Sequence, residues 1–323
     1  METLAAGDFQ TVLARAELCF FRRQFAEIVP LCEGFLKQPG KTVREQAMLQ
    51  DRASAALEEF AARLRQDGQE TAASALADSA ATLQRQAVAK VPELGLALAM
   101  RLNQQGKFDA ALAWLEQAAP QADRAALADV AIHMLSAAPS ASQRGQIEKI
   151  LTPLIDNLGR PAPLLERIAS AYDAQQQYAK SESFYREAIG KDAARLGAMN
   201  NLAYQLALQH RQLGKALELI DKAIGIAGST APLLDTRAIV HEARGEMADA
   251  LADVTGAIAG MPKPLYFFHQ ARILAAMKDP SAARQAEAKA QQLGFTLQLL
   301  HPLERVHLGE RRSSPDAKVD TVP

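Results

Sequence analysis

The most reactive side chains of this sequence form no arrangement that is typical of an enzyme. His241 and Glu242 begin like the His-Glu-x-x-His zinc helix, in which a second histidine stands four residues after the first so that both imidazoles face one metal. Gly245 occupies that place, so the zinc motif is incomplete. We therefore predict that His241 is a packed histidine rather than a metal ligand.

The two cysteines, Cys19 and Cys32, have no further cysteine or histidine at the spacing of a metal site. Because an unpaired cysteine behaves as a small buried hydrophobe, we predict that both lie in the core. The remaining histidines lack a neighbouring serine, cysteine or carboxylate at a spacing that catalysis uses. They are His133, His210, His269, His301 and His307.

Carboxylates are abundant, and a catalytic pair among them is an open alternative. Acidic residues on helix faces are more simply explained as solvated or as paired four residues apart, as Glu182 and Arg186 would be. The glycines are isolated and form no phosphate-binding loop. The sequence therefore predicts a protein that is not an enzyme, with no catalytic residue, no metal site and no cofactor.

The composition favours helices over strands. Hydrophobic residues make up 49% of the 323 residues but aromatic residues only 5%. The apolar fraction is thus largely alanine and leucine, which are strong helix formers. A chain of this length exceeds the size at which a single core stops growing, which predicts several domains or one repeat array.

The charge balance excludes two classes of partner. A formal net charge of −1 argues against nucleic acid and against a membrane surface, since both require an excess of basic residues. No apolar run approaches the ~20 residues that span a bilayer, and the N-terminus lacks the pattern of a signal peptide. We expect a soluble, cytoplasmic protein, an expectation that lapses if the chain is a piece of a longer one.

Small residues recur with one period in the second half of the chain. Three series of alanines repeat every 33 to 35 residues. Small side chains at such positions let paired helices approach closely, so the period indicates stacked helical hairpins. The series are Ala169, Ala203, Ala238 and Ala271; Ala188, Ala223, Ala257 and Ala290; and Ala216, Ala250 and Ala283.

These positions resemble the tetratricopeptide repeat over residues 162–293, with Gly245 at a turn and Pro262 closing a unit. Residues 92–120 match the same pattern. The resemblance implies an all-α, right-handed α-solenoid of about eight antiparallel helical hairpins with a C-terminal capping helix. Residues 203–305 also resemble the C-terminal repeat segments of large bacterial tetratricopeptide repeat proteins. In the unit that begins at Pro163, the matching residues are Ala169, Tyr172, Tyr178, Ser181, Tyr185 and Ala188.

The chain is predicted to have three parts: divergent tetratricopeptide-like hairpins at residues 1–158, a tetratricopeptide array with its capping helix at residues 159–308, and a disordered tail at residues 309–323. Residues 41–90 look like two longer helices that are broken near Asp67 and Gly68. The helix within residues 293–307 is expected to cover the open end of the stack. The tail is rich in Ser, Pro, Asp and Lys without periodicity, which predicts disorder.

The resemblance also implies a binding surface, because the first helix of each hairpin in this family lines a concave groove that holds a peptide or a helix. In the N-terminal half the matching positions are Leu96, Met100 and Asn103. In the C-terminal half the candidate partner-binding residues are Glu166, Ser170, Asp173, Asn200, Tyr204, Asp235, Ile239, Glu242, Phe268 and Arg272.

The groove residues predict something about the partner. Some relatives grip a chaperone's terminal carboxylate with lysines and asparagines, and this sequence lacks that pairing. The carboxylates Asp235 and Glu242 instead predict a partner segment that carries Lys or Arg, with aliphatic residues against Ile239 and Phe268.

Three functions fit the sequence. The first is a protein-interaction scaffold, with self-association through the terminal hairpins as a variant. The second is the tetratricopeptide segment of a larger multidomain protein whose enzymatic domain lies outside this chain. The third is an enzyme with an active site between the helices at residues 41–90 and the groove, which would need a deep pocket with convergent polar groups. The repeats and the lack of a catalytic constellation favour the first.

Overall fold

The computed structural model of the chain describes residues 9–37, 41–137 and 140–313. Within these ranges all regular structure is helical, with seventeen α-helices and two short 3-10 turns. The all-α class is confirmed. No helix of the described residues combines the length and the apolarity that a membrane crossing requires.

The helices follow one another with short turns. In the first half they are α1 (Phe9–Phe21), α2 (Ile28–Leu36), α3 (Val43–Gln66), α4 (Glu70–Lys90), α5 (Leu94–Gln104), α6 (Phe108–Ala118), α7 (Arg124–Ser136) and α8 (Ala141–Asn157). In the second half they are α9 (Ala162–Ala174), α10 (Tyr178–Lys191), α11 (Leu196–Leu208), α12 (Leu213–Ala227), α13 (Ala231–Arg244), α14 (Met247–Gly260), α15 (Pro264–Ala276), α16 (Pro280–Gln292) and α17 (Pro302–Ser313).

Consecutive helices pack as hairpins. The pairs α1–α2, α3–α4, α5–α6, α9–α10, α11–α12, α13–α14 and α15–α16 are in contact, while α7 and α8 take the place of the predicted fourth hairpin. The described residues divide into two compact units, unit 1 within residues 1–134 and 141–151 and unit 2 within residues 135–140 and 152–323. The predicted boundary after residue 158 stays a prediction.

Unit 1 shows how local sequence starts and stops its long hairpin. Helix α3 begins with a capping box, in which the Thr42 hydroxyl accepts from the Glu45 N–H and the Glu45 carboxylate accepts from the Thr42 N–H. The break between α3 and α4 lies at Gly68, whose φ of 72° favours glycine. This agrees with the predicted break.

Cys19 and Cys32 are free and buried as predicted, and burial raises the pKa of the Cys32 thiol to about 11.

Unit 2 owes its hairpins to the periodic small residues. All three alanine series are buried, so the period marks the positions where helices meet most closely. The turns share a left-handed residue even where glycine is missing. Gly245 has a φ of 81°, and Gln176 and Lys278 take φ values of 57° and 62° at corresponding turns. The turn geometry is therefore set by the packing of the helices rather than by glycine alone.

The chain after α16 makes a 3-10 turn at Leu297–Leu299 and then enters α17 at Pro302, which suits the first position of a helix. Helix α17 continues to Ser313, so residues 309–313, which were predicted to be disordered, are helical. Residues 314–323 lie outside the described part of the chain.

Candidate functional site

The first helices of the last four hairpins, α9, α11, α13 and α15, build a groove in unit 2. A cavity of about 420 Å³ opens between them. Five of the predicted partner-binding residues line it, namely Ser170, Asp173, Asn200, Tyr204 and Asp235. Other lining residues that the repeat offsets missed are Tyr185, Asn201, Pro232, Thr236, Leu265, Tyr266, Leu299, Leu300 and His301.

The open part of this groove has polar and apolar side chains on its wall. The Tyr185 hydroxyl lies 3.0 Å from the Ser170 hydroxyl and accepts from Asn201 Nδ2 at 3.2 Å. Two buried oxygens, Asp173 Oδ1 and Asn200 Oδ1, have no hydrogen-bond partner among the described residues. A buried acceptor without a donor is costly to the fold.

The chain's own end lies against the same helices. We call residues 295–306 the terminal segment. Phe295 stacks on Phe268 with ring centroids 4.5 Å apart, and Leu300 is buried. The expected capping helix is present, but its contacts run along the groove as far back as α9, because His301 Nε2 lies 2.9 Å from Asp173 Oδ2. A lid over the last hairpin alone would not reach that helix.

The geometry fixes the proton on the His301 ring. The Leu303 N–H donates to His301 Nδ1 at 3.2 Å, so Nε2 carries the ring proton and donates to Asp173. The ring also lies edge-on to Tyr204, with centroids 5.8 Å apart. The residue before α17 thus ties the terminal segment to both α9 and α11.

Glu304, in the first turn of α17, provides the deepest contact. Its side chain is fully buried and accepts three hydrogen bonds from the groove: from Tyr204 Oη at 2.6 Å, from Arg272 Nη1 at 2.9 Å and from His269 Nε2 at 3.1 Å. The His301 N–H donates to the same carboxylate at 3.3 Å, which also helps to start the helix. We call Tyr204, His269 and Arg272 the carboxylate cradle.

Helix α13 supports the cradle from behind. Asp235 Oδ1 lies 2.7 Å from His269 Nδ1. Glu242 accepts from Arg272 Nε at 2.8 Å and from Nη2 at 2.7 Å, a two-pronged pairing that fixes the guanidinium plane. Each cation of the cradle therefore has its own carboxylate on the preceding hairpin and shares Glu304 with the other.

The electrostatics follow from these contacts. Burial alone lowers the pKa of His269, but the Asp235 and Glu304 carboxylates outweigh it and raise that pKa to about 9. His269 is therefore a cation at neutral pH. Burial raises the pKa of Glu304, whereas His269 and Arg272 hold it well below its usual range. The pKa of the Tyr204 hydroxyl is raised by burial and by the neighbouring Glu304.

The structure changes what the predicted carboxylates can do. Asp235 and Glu242 were expected to select a basic partner, but they already pair with His269 and Arg272 of the next hairpin. Ile239, expected to offer an aliphatic contact, is buried within unit 2.

The other candidates are also engaged or buried. Glu166 is ion-paired with Arg195, and Phe268 is covered by Phe295. Leu96 and Asn103 of unit 1 are buried, and Met100 is half-buried.

His241 is partly buried and lies 2.7 Å from Glu246 through Nδ1. With Asp249 these residues are close enough for one ion, since ligand atoms from all three lie within 4.8 Å of one another. Arg244, however, donates two hydrogen bonds to Glu246, at 2.7 and 2.8 Å. That pairing lowers the pKa of Glu246 to about 2 and satisfies its charge without a metal.

Comparison with known proteins supports the fold. No protein-family model matches the sequence, and no curated protein sequence matches it. The structure is similar to a tetratricopeptide repeat protein from Parabacteroides merdae, with a TM-score of 0.50 and 16% identity over 79% of this chain and 98% of that one. A likeness at this identity concerns the fold alone, and it confirms the tetratricopeptide-type array of hairpins.

Two other solved structures are similar over shorter stretches. A thermophilic tetratricopeptide repeat protein from Thermus thermophilus has a TM-score of 0.42 and 17% identity, covering 67% of this chain and 96% of that one. MamA from Desulfovibrio magneticus has a TM-score of 0.44 and 12% identity, covering 53% of this chain and 96% of that one.

Proposed function

We propose that the chain is a protein-interaction scaffold and that a segment of a partner protein binds in the groove of α9, α11, α13 and α15. The observation that carries the proposal is the terminal segment itself. These helices already hold a short stretch of chain that leads into a helix, through side chains placed for that purpose: Phe268, Asp173 and the carboxylate cradle. A groove that holds one such segment has the chemistry to hold another.

The open part of the groove supports the same proposal. Its polar side chains, such as Ser170, Asp173 and Asn200, would offer hydrogen-bond partners to a peptide backbone or to an amide or basic side chain. Leu265 and Tyr266 add apolar surface to the lining of the cavity. Such a mixture of a few polar groups with apolar surface suits a peptide better than a small charged metabolite.

We do not propose catalysis at the charged cluster. While the terminal segment is in place, His269 and Glu304 are both fully buried and each already has hydrogen-bond partners, so neither offers a reactive atom to a substrate. A tetratricopeptide segment of a larger protein stays the alternative, and its groove would work in the same way. Self-association is a further variant.

The experiment is an affinity pull-down from the source lysate with mass spectrometry of the retained proteins. The test variant is Asn200→Trp, which should fill the cavity. The matched control is Glu218→Trp on α12, where residue 218 is exposed and is not one of the lining residues. We expect a protein that the wild type and the control retain and that Asn200→Trp loses. If all three folded proteins retain the same set, the groove is not the binding surface.

A further inference from the structure

The carboxylate cradle has the composition of a receptor for one acidic side chain. A hydroxyl from α11 and two cationic donors from α15 converge on the two oxygens of Glu304. Charge-assisted hydrogen bonds of this kind are the strongest that proteins make to a carboxylate. The donors come from two hairpins, whereas the acceptor comes from a helix that follows the last hairpin.

The charges of the site allow Glu304 to leave. Removal of its carboxylate leaves two complete ion pairs, His269 with Asp235 and Arg272 with Glu242. The vacated cradle would thus contain no uncompensated charge, while the released glutamate would regain its hydration. Breaking a buried pair is costly because it strands one charge, and this arrangement avoids that outcome.

The terminal segment is held by few anchors. Its anchors are Glu304, His301, the Phe295 ring stacked on Phe268, and Leu300, which is buried. Leu297, Leu299 and Val306 remain 49%, 46% and 52% exposed, although they are apolar. A segment that evolved only to seal the groove would bury such residues, since their burial is the main source of stabilisation.

We infer that the cradle is a recognition site for a glutamate or aspartate in the first turn of a partner helix, and that the terminal segment is a resident competitor for it. This inference rests on the proposed function and names the chemistry of its partner. The terminal segment shows the pattern that fits: a leucine four residues before the acidic residue, as Leu300 is to Glu304, with the helix starting between them.

The terminal segment competes with a partner because it belongs to the same chain as the groove. The terminal segment is joined directly to the last hairpin, so it competes at a high effective concentration, which is of millimolar order for short linkers. A partner must exceed that competition, and its apparent affinity falls in proportion to the fraction of molecules whose groove is free. Weakening the resident anchor should therefore strengthen binding in trans.

The test uses the full chain and a fluorescein-labelled synthetic peptide with the sequence of residues 294–308, followed by fluorescence anisotropy. The chains are wild type, Glu304→Gln and Leu300→Ala, each checked for folding by circular dichroism and thermal unfolding. A second peptide carries Gln in place of Glu304. Leu300→Ala should weaken the hold on the resident segment without changing the cradle, so the result does not depend on one substitution.

We expect the glutamate peptide to bind both variants at least tenfold more tightly than it binds the wild type. On Glu304→Gln, the glutamine peptide should bind at least tenfold more weakly than the glutamate peptide. Equal binding of the two peptides, or no binding to either folded variant, would overturn the inference. So would a wild-type dimer formed by exchange of terminal segments, since the occupant would then be a second copy.

The lysate pull-down tests the proposed function separately from the competition. If Asn200→Trp loses a lysate protein that the wild type and Glu304→Gln retain equally, the scaffold proposal stands and the competition is refuted. If Glu304→Gln retains more of that protein than the wild type does, both proposals are supported.

Discussion

The same four helices build two parts of one groove that differ in how their polar groups are satisfied. In the filled part, Tyr204, His269 and Arg272 all donate to Glu304. In the open part, Asp173 and Asn200 each keep an oxygen that accepts nothing from the described residues. The cradle thus holds the chain's own end, while Asp173 and Asn200, each with one oxygen that accepts no hydrogen bond within the described part of the chain, line the space that is left. Occupancy, rather than the helical frame, distinguishes the two parts.

The largest expected effect breaks the filled part. Arg272→Met removes the cation that Glu242 and Glu304 share, which leaves two buried carboxylates short of a partner. Losses from such a break are about 3 to 5 kcal/mol. Urea unfolding followed by circular dichroism should show a loss of that size in the free energy of unfolding.

The control for this variant is Arg186→Met, because Arg186 forms an exposed pair with Glu182 four residues away. Exposed pairs of this kind contribute about 0.2 to 1 kcal/mol. Similar losses for the two variants would mean that the buried cluster does not hold unit 2 together.

The second prediction concerns pH. The pKa of His269 is raised to about 9 by Asp235 and Glu304 against its ordinary 6.5. A raised folded-state pKa stabilises the fold fully below pH 6.5, and this contribution is lost as the pH rises through 9. The difference corresponds to roughly 3 kcal/mol. Urea midpoints measured from pH 6 to pH 10 should fall over that window.

The pH effect is isolated by His269→Gln, which cannot titrate there. Its midpoint should be lower than that of the wild type at pH 6 and should change much less between pH 6 and pH 10. A parallel decline of both proteins would assign the pH dependence to other groups.

The third prediction compares one tyrosine from each part. Tyr204→Phe removes a donor to a buried carboxylate, a bond of a class that contributes about 1.5 to 3 kcal/mol. Tyr185→Phe removes contacts to the neutral Ser170 and Asn201, and should cost about 1 kcal/mol. Thermal unfolding of both variants gives the order. The comparison fails if Tyr185→Phe destabilises the fold more than Tyr204→Phe does.

Much of the fold could be predicted because repeat packing leaves a periodic record. Ala203 and Ala238 are buried since two helices meet there, and each later unit must place a small residue at the same offset. Asp67 and Gly68 marked the break between two long helices because a left-handed residue stops a helix. Local and periodic constraints of this kind are visible in one sequence.

The candidate site could be predicted only in part. Repeat offsets placed Ser170 and Asn200 on the groove wall, but no period links Tyr204 to Glu304, which lie 100 residues apart. The contact between Asp235 and His269 could have been predicted from their spacing. Residues about one repeat apart on the first helices of successive hairpins become neighbours, and these two are 34 residues apart. The position of Glu304 in the first turn after Pro302 gave no indication of which groove residues it would meet.

The smallest expected effect lies at the edge of the groove, where Glu166 on α9 rests against Gly197 on α11. A Cβ at Gly197 would overlap the Glu166 carboxylate, which is ion-paired with Arg195. Gly197→Ala should therefore gain less than the ~0.5 to 1 kcal/mol that alanine usually adds to a helix, and the missing part should return in the Glu166→Ala background. A double-mutant cycle by urea unfolding measures this coupling.

The control is Gly225→Ala on α12. Its new Cβ meets no atom within 4 Å, so the variant should gain the same stability in both backgrounds. If Gly197→Ala does so as well, Glu166 moves aside without cost, and this edge of the groove is free to adapt to a partner.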